Sequence, residues 1–257
     1  MVQKMHRVFD PDVGDYVAIT GADSLDVTMA GIKYATIQEA MTAAVADSII
    51  IVGPGTYAED VTWSDYSGVQ LVAQVPGTVT IEAVAANAIS IDPAAASGTW
   101  SATIKGIKLS HDDGLVGLQV DNASVGKRIN LYLDDMGIES ETSTDHAIDV
   151  NRSGAATDAI RIYANGHNTT IEGLVHVIFE CADDRVRFNG YRLVGGITQT
   201  GAIADAEVTL INCGILTSGR TFDAAVTHNL IGCWAETDAN PNVYTAIADE
   251  VAQTATS

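Results

Sequence analysis

The sequence predicts an all-β fold in which short parallel strands wind into a solenoid. Short apolar runs recur from about residue 47 to residue 234, and glycine, asparagine, aspartate or serine separates them. No helical pattern of ten or more residues lies between the runs, so βαβ units are excluded. A weak internal repeat of about 20 to 30 residues indicates coils that stack on their neighbours.

The first predicted element of the solenoid is an amphipathic helix over residues 36–46. Thr36 is suited to the N-cap, and Glu39 three residues later makes a capping box. The apolar residues of this segment recur at i, i+3, i+4, i+7 and i+8, which places them on one helix face. They are Ile37, Ala40, Met41, Ala44 and Val45. A β-branched run then predicts a buried strand, and Gly53-Pro54-Gly55 ends it.

The apolar runs predict the strands in chain order. They are Ile49–Val52, Val69–Val72, Val79–Ile81, Ala88–Ile91, Thr103–Leu109, Leu115–Val120, Ile129–Leu133, Ala147–Val150, Ile160–Tyr163, Leu174–Phe179, Val186–Val194, Val208–Leu216 and Asn229–Cys233. Gly106, Gly137, Gly190 and Gly214 stand in similar segments, which predicts eight to ten coils of three strands. Ile211-Asn212-Cys213 and Ile231-Gly232-Cys233 lie 20 residues apart, so stacked coils would place Cys213 beside Cys233 inside the solenoid.

Residues 34 to 61 resemble the entry of right-handed parallel β-helix proteins of the pectin-lyase-like superfamily. The matching residues are Thr36, Ile37, Gln38, Ala40, Asp47, Ile49, Val52, Gly55, Tyr57, Glu59 and Val61. The resemblance implies a right-handed parallel β-helix over residues 34–234, closed at its start by the capping helix. An antiparallel β-sandwich or jelly roll is the alternative fold.

Polar segments flank the predicted solenoid. Residues 1–33 contain interrupting glycines and many aspartates, which predicts an irregular N-terminal arm. Residues 235–257 are predicted to form a C-terminal cap or tail. Asn240-Pro241-Asn242 is suited to a helix start, and Val243, Ile247 and Val251 would then share one face. A disordered tail or a subunit-binding arm is the alternative for this segment.

The composition narrows the classes of partner. The formal net charge is −20, which disfavours nucleic-acid binding because phosphate attraction needs a basic surface. No apolar run reaches the length of a membrane helix, and the N-terminus lacks the apolar region of a signal peptide. Three cysteines without metal-binding spacing predict buried, reduced thiols. The acidity fits either general solubility or a saline environment.

Motifs of carbohydrate-active relatives are present only in fragments. The segment from Gly55 to Glu59 resembles the G-x-Y-x-E element of pectin methylesterases, but the later aspartate motifs of that family are absent. The Asp-Asp pairs of the chain resemble the Asp-Asp motif of polygalacturonases. The N-T-D, G-H-G and R-x-K motifs of that family are absent. A lyase would need a basic cluster, for which Arg161, Arg185, Arg187 and Arg192 are the candidates, but R-x-P-x-x-R is absent. We therefore assign no catalytic, cofactor-binding or metal-binding residue.

Two groups of polar residues nevertheless allow a functional interpretation. Three aspartate pairs (Asp112-Asp113, Asp134-Asp135 and Asp183-Asp184) would lie on one edge of stacked coils, either as a calcium site or as a solvated ridge. If Asp112-Asp113, Asp134-Asp135 and His167 lay together in one cleft, that arrangement would indicate a glycosidase. The histidines are scattered, which predicts turn or surface positions for His111, His146, His167, His176 and His228.

These observations predict a non-enzymatic structural protein of the virion of a tailed phage or similar virus. It would be a capsid decoration (cement) protein or a tail-associated β-helix. We expect a homotrimer that binds other virion proteins, of capsid or tail, through its terminal arms, without cofactor, nucleic acid or membrane. The alternatives are a pectin-lyase-like carbohydrate-active enzyme and a surface module that binds glycans.

Overall fold

The computed structural model describes residues 7–10, 15–18, 24–26, 34–63, 66–93, 98–112, 114–122, 127–140, 145–152, 159–200, 203, 205–215 and 226–235. These residues form one short helix, α1 (Ile37–Ala43), and many strands. The strands are β1 (Arg7–Asp10), β2 (Asp15–Ala18), β3 (Ser24–Asp26), β4 (Ile49–Val52), β5 (Gly55–Ala58), β6 (Val61–Trp63), β7 (Val69–Ala73), β8 (Val79–Glu82), β9 (Ile89–Ile91), β10 (Gly98–Lys105), β11 (Ile107–His111), β12 (Leu118–Asn122), β13 (Lys127–Asp134), β14 (Gly137–Ser140), β15 (His146–Arg152), β16 (Ile160–Ile171), β17 (Leu174–Ile178), β18 (Arg185–Leu193), β19 (Ile197–Thr200), β20 (Glu207–Ile211), β21 (Gly214–Ile215), β22 (Thr227–Ile231) and β23 (Trp234–Ala235).

The strands pair in three parallel ladders. The first ladder runs β3-β4-β7-β10-β13-β16-β18-β20-β22, and the second runs β5-β8-β11-β14-β16-β18-β21-β23. The long strands β16 and β18 belong to both, so these two ladders form one 15-stranded sheet. The third ladder, β6-β9-β12-β15-β17-β19, is a separate six-stranded sheet. This arrangement is compatible with a β-helix-like solenoid, and it overturns the antiparallel sandwich as an alternative.

The inward positions of neighbouring strands stack as columns of apolar side chains. One column on the first ladder contains Ile50, Leu71, Ile104, Leu133, Ala164, Phe188, Leu210 and Leu230. Partners in this column are 20 residues apart at Leu210 and Leu230 and 33 apart at Leu71 and Ile104, close to the predicted repeat. All members are buried. Their burial is the main favourable term, at about 1.5–3 kcal/mol for each large aliphatic side chain.

The corners explain where the strand predictions were wrong. The predicted strand Thr103–Leu109 is divided at Gly106, whose φ of 66° turns the chain from β10 into β11. The predicted repeat would pair Gly137 with Gly106 and Gly214 with Gly190. In the structure both pairings are shifted by two residues, because Gly137 pairs with Lys108 and Gly214 pairs with Arg192. The cysteine spacing, in contrast, is confirmed, since Ile211 pairs with Ile231.

The helix α1 forms where the sequence predicts it, but it is shorter. The Thr36 hydroxyl accepts a hydrogen bond from the Glu39 N–H at 3.1 Å, and a Glu39 carboxylate oxygen accepts one from the Ala35 N–H at 3.0 Å. The predicted apolar face is buried at every position except Val45, which is 47% exposed. The backbone becomes extended at Ala44, so Val45 no longer lies on that face.

The side chains of Gln38 and Glu59, which both belong to the entry motif, attach α1 to the segment around β6. The Glu59 carboxylate accepts hydrogen bonds from the Ile37 and Gln38 N–H groups, both at 2.9 Å, at the helix N-terminus. The Gln38 amide pairs with the backbone of Thr62, accepting from its N–H and donating to its carbonyl. Because β6 is the edge of its sheet, this amide takes the place of a further strand.

The flanking segments fall only partly within the described residues. Within the predicted irregular arm, β1 and β2 form an antiparallel two-stranded sheet, and β3 pairs in parallel with β4. These three strands were not predicted. The predicted C-terminal cap or tail lies outside the described residues beyond position 235. Within the described part of the chain, no helix is long and apolar enough to cross a bilayer.

Candidate functional site

The aspartate pairs do not share one edge of the stack, so that prediction is wrong. Asp112 follows β11, Asp134 ends β13, and Asp184 directly precedes β18. Asp113 lies outside the described residues. The pairs therefore sit at different corners, because the coils between them differ in length. The structure gives no support to a calcium ridge formed by these pairs.

Asp184 has a structural role. Its side chain is fully buried and accepts hydrogen bonds from the N–H groups of Ile160 (2.8 Å), Glu180 (2.9 Å) and Cys181 (2.9 Å). These donors lie on two coils, since Ile160 begins β16 and the other two precede β18. The carboxylate thus satisfies three backbone groups that would otherwise lack partners.

The arginines of the first ladder form a local basic surface on an acidic protein. Arg161, Arg185 and Arg187 face outward on β16 and β18, and Arg185 and Arg187 share one face of β18. A neighbouring acid, Asp183, accepts a hydrogen bond from Arg128 at 3.1 Å and lies 3.8 Å from Arg161. Arg192 lies beyond the corner, opposite Gly214 on the second ladder.

Two aromatic rings continue this basic surface. Tyr132 and Tyr163 occupy paired positions on β13 and β16, and their rings stack at 5.6 Å with an interplanar angle of 17°. Tyr163 and Arg187 are also paired positions. A concavity of about 290 Å³ is lined by Arg161, Tyr163, Arg185, Arg187 and Glu207, among others. We call the outward surface of Tyr132, Tyr163, Arg161, Arg185 and Arg187 the tyrosine–arginine face.

A shallow groove on the second ladder contains part of the predicted acidic cluster. Its volume is about 580 Å³, and Asp135, Glu139, His167 and Glu172 line it together with backbone of the corners. The exposed His167 ring lies 2.8 Å from a carboxylate oxygen of Asp135, and the same oxygen accepts from the His167 N–H. Neither Asp112 nor Asp134 lines this groove. The cleft that would indicate a glycosidase is therefore only partly formed.

The third ladder brings together His146, Asp149 and His176, which no motif or spacing in the sequence joins. The Nδ1 atoms of His176 and His146 lie 2.7 Å and 3.5 Å from Oδ1 of Asp149. The two imidazole rings stack at 5.0 Å with an interplanar angle of 30°. Among the described residues these three are the group of His, Cys, Asp and Glu side chains placed to hold a metal ion. We call them the His-Asp-His cluster.

A β-bulge creates the His-Asp-His cluster. His146 and Asp149 are three residues apart, and regular alternation would point them to opposite faces of β15. The register with β17 shifts between His146 and Ile148, so Ala147 is an extra residue, and Ala147 and Ile148 are both buried. The extra residue returns His146 to the outward face. Spacing in the sequence alone could not reveal this contact.

Glycines on the neighbouring coil make room for the bulge. Gly173 has a φ of 91°, and a β-carbon there would lie 2.8 Å from the Asp145 carbonyl oxygen and 3.1 Å from the Ala147 β-carbon. One coil further, a β-carbon at Gly195 would lie 2.2 Å from the Gly173 carbonyl carbon. The distances of 2.8 Å at Gly173 and 2.2 Å at Gly195 are shorter than β-carbon contacts in proteins, so glycine is required at both positions.

The same ladder carries neighbouring carboxylates whose negative charges repel one another. Burial raises the pKa of Asp121 above its usual range, and the charges of Asp92 and Asp149 raise it further. One oxygen of Asp121 is buried and has no hydrogen-bond partner among the described residues. Asp121 therefore adds negative charge to the neighbourhood of Asp149.

We expect Asp121→Asn to stabilise the protein at neutral pH. The pKa of Asp121 is higher in the folded state than in the unfolded chain. Its contribution to the free energy of unfolding is therefore fully present below the unfolded pKa and is lost as the pH rises through the folded pKa. Ionised Asp121 thus destabilises the fold at pH 7, and the variant should unfold about 1–2 °C higher. Thermal unfolding at about pH 7 and about pH 4 checks this, because the gain should disappear at the lower pH. Asp112→Asn, which changes an exposed acid, should show no such gain.

The remaining histidines and the three cysteines form no candidate site among the described residues. His111 is buried on β11, contrary to the prediction of a turn or surface position, and within the described part of the chain its Nε2 atom has no hydrogen-bond partner. The side chain of His228 lies outside the described residues. Cys213 is buried, Cys181 and Cys233 are half-buried, and none of the three forms a disulfide. Hydrogen bonding with Cys233 and burial raise the pKa of Cys213, which keeps this thiol protonated.

Comparison with known proteins adds no family to these observations: no family model and no curated protein matches the chain.

Proposed function

We propose that the chain forms a right-handed parallel β-helix that serves as a non-enzymatic structural protein of a virion, such as that of a tailed phage. It would decorate the capsid or belong to the tail, and it would assemble as a homotrimer with its terminal segments contacting other virion proteins. A stack of coils with apolar columns is a rigid scaffold, and its function then depends on the surfaces it presents.

The observation that carries the non-enzymatic role is the separation of the aspartate pairs and the structural use of the third pair, Asp183-Asp184. Buried Asp184 is bound to three backbone N–H groups, and Asp183 contacts Arg128 and Arg161. Glycoside hydrolysis needs two carboxyl groups that face one bond, with one of them free to donate a proton. The acidic pairs at separate corners do not offer that arrangement.

The N-terminal region supports a role in assembly. β3 continues the first ladder beyond β4, and β1 and β2 form a small sheet of their own. A two-stranded sheet is marginal on its own in water, so it gains stability from a packing surface. In a virion that surface would belong to another subunit.

Light scattering combined with polysaccharide digestion tests this proposal. We expect the full chain to elute as a trimer, and to release neither reducing ends nor unsaturated products from neutral or acidic polysaccharides. A monomer that releases such products would overturn the proposal. Loss of that activity in Asp135→Asn, with Asp112→Asn unaffected, would then assign it to the groove around His167 and favour the enzyme alternative.

The tyrosine–arginine face supports a second candidate, a surface that binds glycans without cleaving them. Stacked, partly exposed rings offer flat apolar surfaces for sugar rings, and arginines offer donors to hydroxyl or carboxylate groups. Binding to a set of neutral and carboxylated oligosaccharides tests it. Under this candidate Tyr163→Ala and Arg187→Ala lose binding, whereas Tyr66→Ala, which removes an exposed tyrosine near α1, retains it. Equal binding by all of these proteins would exclude this face.

A further inference from the structure

The geometry of the His-Asp-His cluster points to a binding site for a divalent transition metal ion, with zinc as its expected occupant. One ligand atom from each of His146, Asp149 and His176 lies within 4.8 Å of the other two. The three side chains come from neighbouring strands of one ladder, so the ion would join β15 to β17.

The donor set selects the class of metal. Zinc binds imidazole nitrogen and carboxylate oxygen at about 2.0–2.2 Å and takes four ligands. Two nitrogens and one oxygen supply three of them, and a solvent molecule completes the set. Calcium and magnesium prefer oxygen donors, so a site in which two of three protein ligands are nitrogens disfavours both. Copper and nickel share the preference for imidazole and serve as probes of the same site.

The spacing of the ligand atoms suits an ion with little rearrangement. A tetrahedral ion with bonds of about 2.0 Å holds its ligand atoms about 3.3 Å apart. The two measured distances from Asp149 Oδ1, 2.7 Å to His176 and 3.5 Å to His146, lie on either side of that value. Binding would replace the hydrogen bond between His176 and Asp149 with two metal bonds.

The cluster is built by the backbone rather than by chance contact of flexible side chains. The bulge at Ala147 turns His146 outward, and Gly173, itself packed against Gly195, leaves the space that the bulge needs. Bulges often redirect side chains at functional sites. His176 and Asp149 occupy paired positions on their strands, which holds their Cα atoms in register.

The surroundings favour a cation and allow it to enter. The side chains of His146, Asp149 and His176 are 37%, 16% and 19% exposed, so the site is open to solvent but partly enclosed. Asp121 adds negative charge near Asp149, and Asp92 lies near Asp121 in turn. A bound ion would reduce the mutual repulsion of these carboxylates. The ion would thus act as a clamp between two coils, whether or not the protein belongs to a virion.

Titration of the metal-free full chain with Zn²⁺ tests the inference. We expect one equivalent to bind with micromolar or tighter affinity, and the melting temperature to rise as Zn²⁺ is added, because the ion binds the folded state. Co²⁺ should give visible d–d bands, and X-ray absorption of the Zn²⁺ complex should show two imidazole ligands. The last measurement uses the unmodified chain, so it does not depend on the folding of any variant.

Three variants and one control locate the site. His146→Ala, His176→Ala and Asp149→Asn should each weaken Zn²⁺ binding at least tenfold and remove the thermal shift. His167→Ala removes the histidine of another histidine–aspartate pair, which lacks a second imidazole, and should leave binding unchanged. Absence of one-equivalent binding, binding that survives His176→Ala, or binding that is lost in His167→Ala would overturn the inference.

Discussion

Replacing Asp184 with alanine is expected to lower the free energy of unfolding by about 3–5 kcal/mol. The carboxylate is fully buried and is the acceptor for the N–H groups of Ile160, Glu180 and Cys181. Each buried donor left without a partner costs about 1–3 kcal/mol, and nearby packing prevents water from replacing the carboxylate in full. Because the donors lie on two coils, the variant loosens the contact between the coils that start β16 and β18.

Asp183→Ala is the matched control for Asp184→Ala. Its carboxylate is half-exposed and contacts Arg128 and Arg161, an arrangement that contributes about 0–1 kcal/mol. Urea unfolding of both variants, followed by far-ultraviolet circular dichroism, measures the difference. Hydrogen exchange of the Ile160 amide reports the local effect. Equal stability of the two variants would show that Asp184 does not have the assigned role.

Gly190→Ala is expected to be the second most damaging of these substitutions, with a loss of about 2–5 kcal/mol. Gly190 has a φ of 73°, and a β-carbon there would lie 2.2 Å from the carbonyl oxygen of Gly166 on the neighbouring coil. A left-handed backbone costs an alanine about 1–2 kcal/mol, and relief of the clash adds about 1–3 kcal/mol because backbone must move. The corner between the two halves of β18 would open.

Gly77→Ala separates these two costs. Gly77 has nearly the same φ, 77°, but no atom lies within 4 Å of its would-be β-carbon. It should therefore lose only the conformational part, about 1–2 kcal/mol. Thermal and urea unfolding of the two variants under the same conditions give the comparison. If Gly77→Ala were as damaging as Gly190→Ala, close packing of the coils at Gly166 would not be the cause.

The helix and the strand interiors could be predicted because their signals are local. Thr36 caps α1, and the strand from Ile49 to Val52 has the predicted bounds. β-branched runs favour extended backbone wherever they occur. The shorter strands β5, β6, β14 and β19 were missed, because three or four residues at a corner carry little periodicity.

The candidate metal site could not be predicted, since its residues meet through tertiary structure. His146 and Asp149 would face apart in a regular strand, and His176 is on the next coil, so no spacing rule joins them. The aspartate pairs had the converse problem. Their spacings matched one and two average coil lengths. The distance between paired positions varies between 20 and 33 residues, however, so a spacing close to the average does not place two residues at the same corner.

Local chemistry along the chain therefore determined the strand-rich character, the capped helix and the stacking of Cys213 beside Cys233. These features follow from backbone preference, side-chain shape and the burial of apolar runs. Tertiary structure alone decided which polar side chains share a surface. That outcome depends on corner geometry and on one extra residue in β15, because a shift of one residue in a strand sends its side chains to the other face.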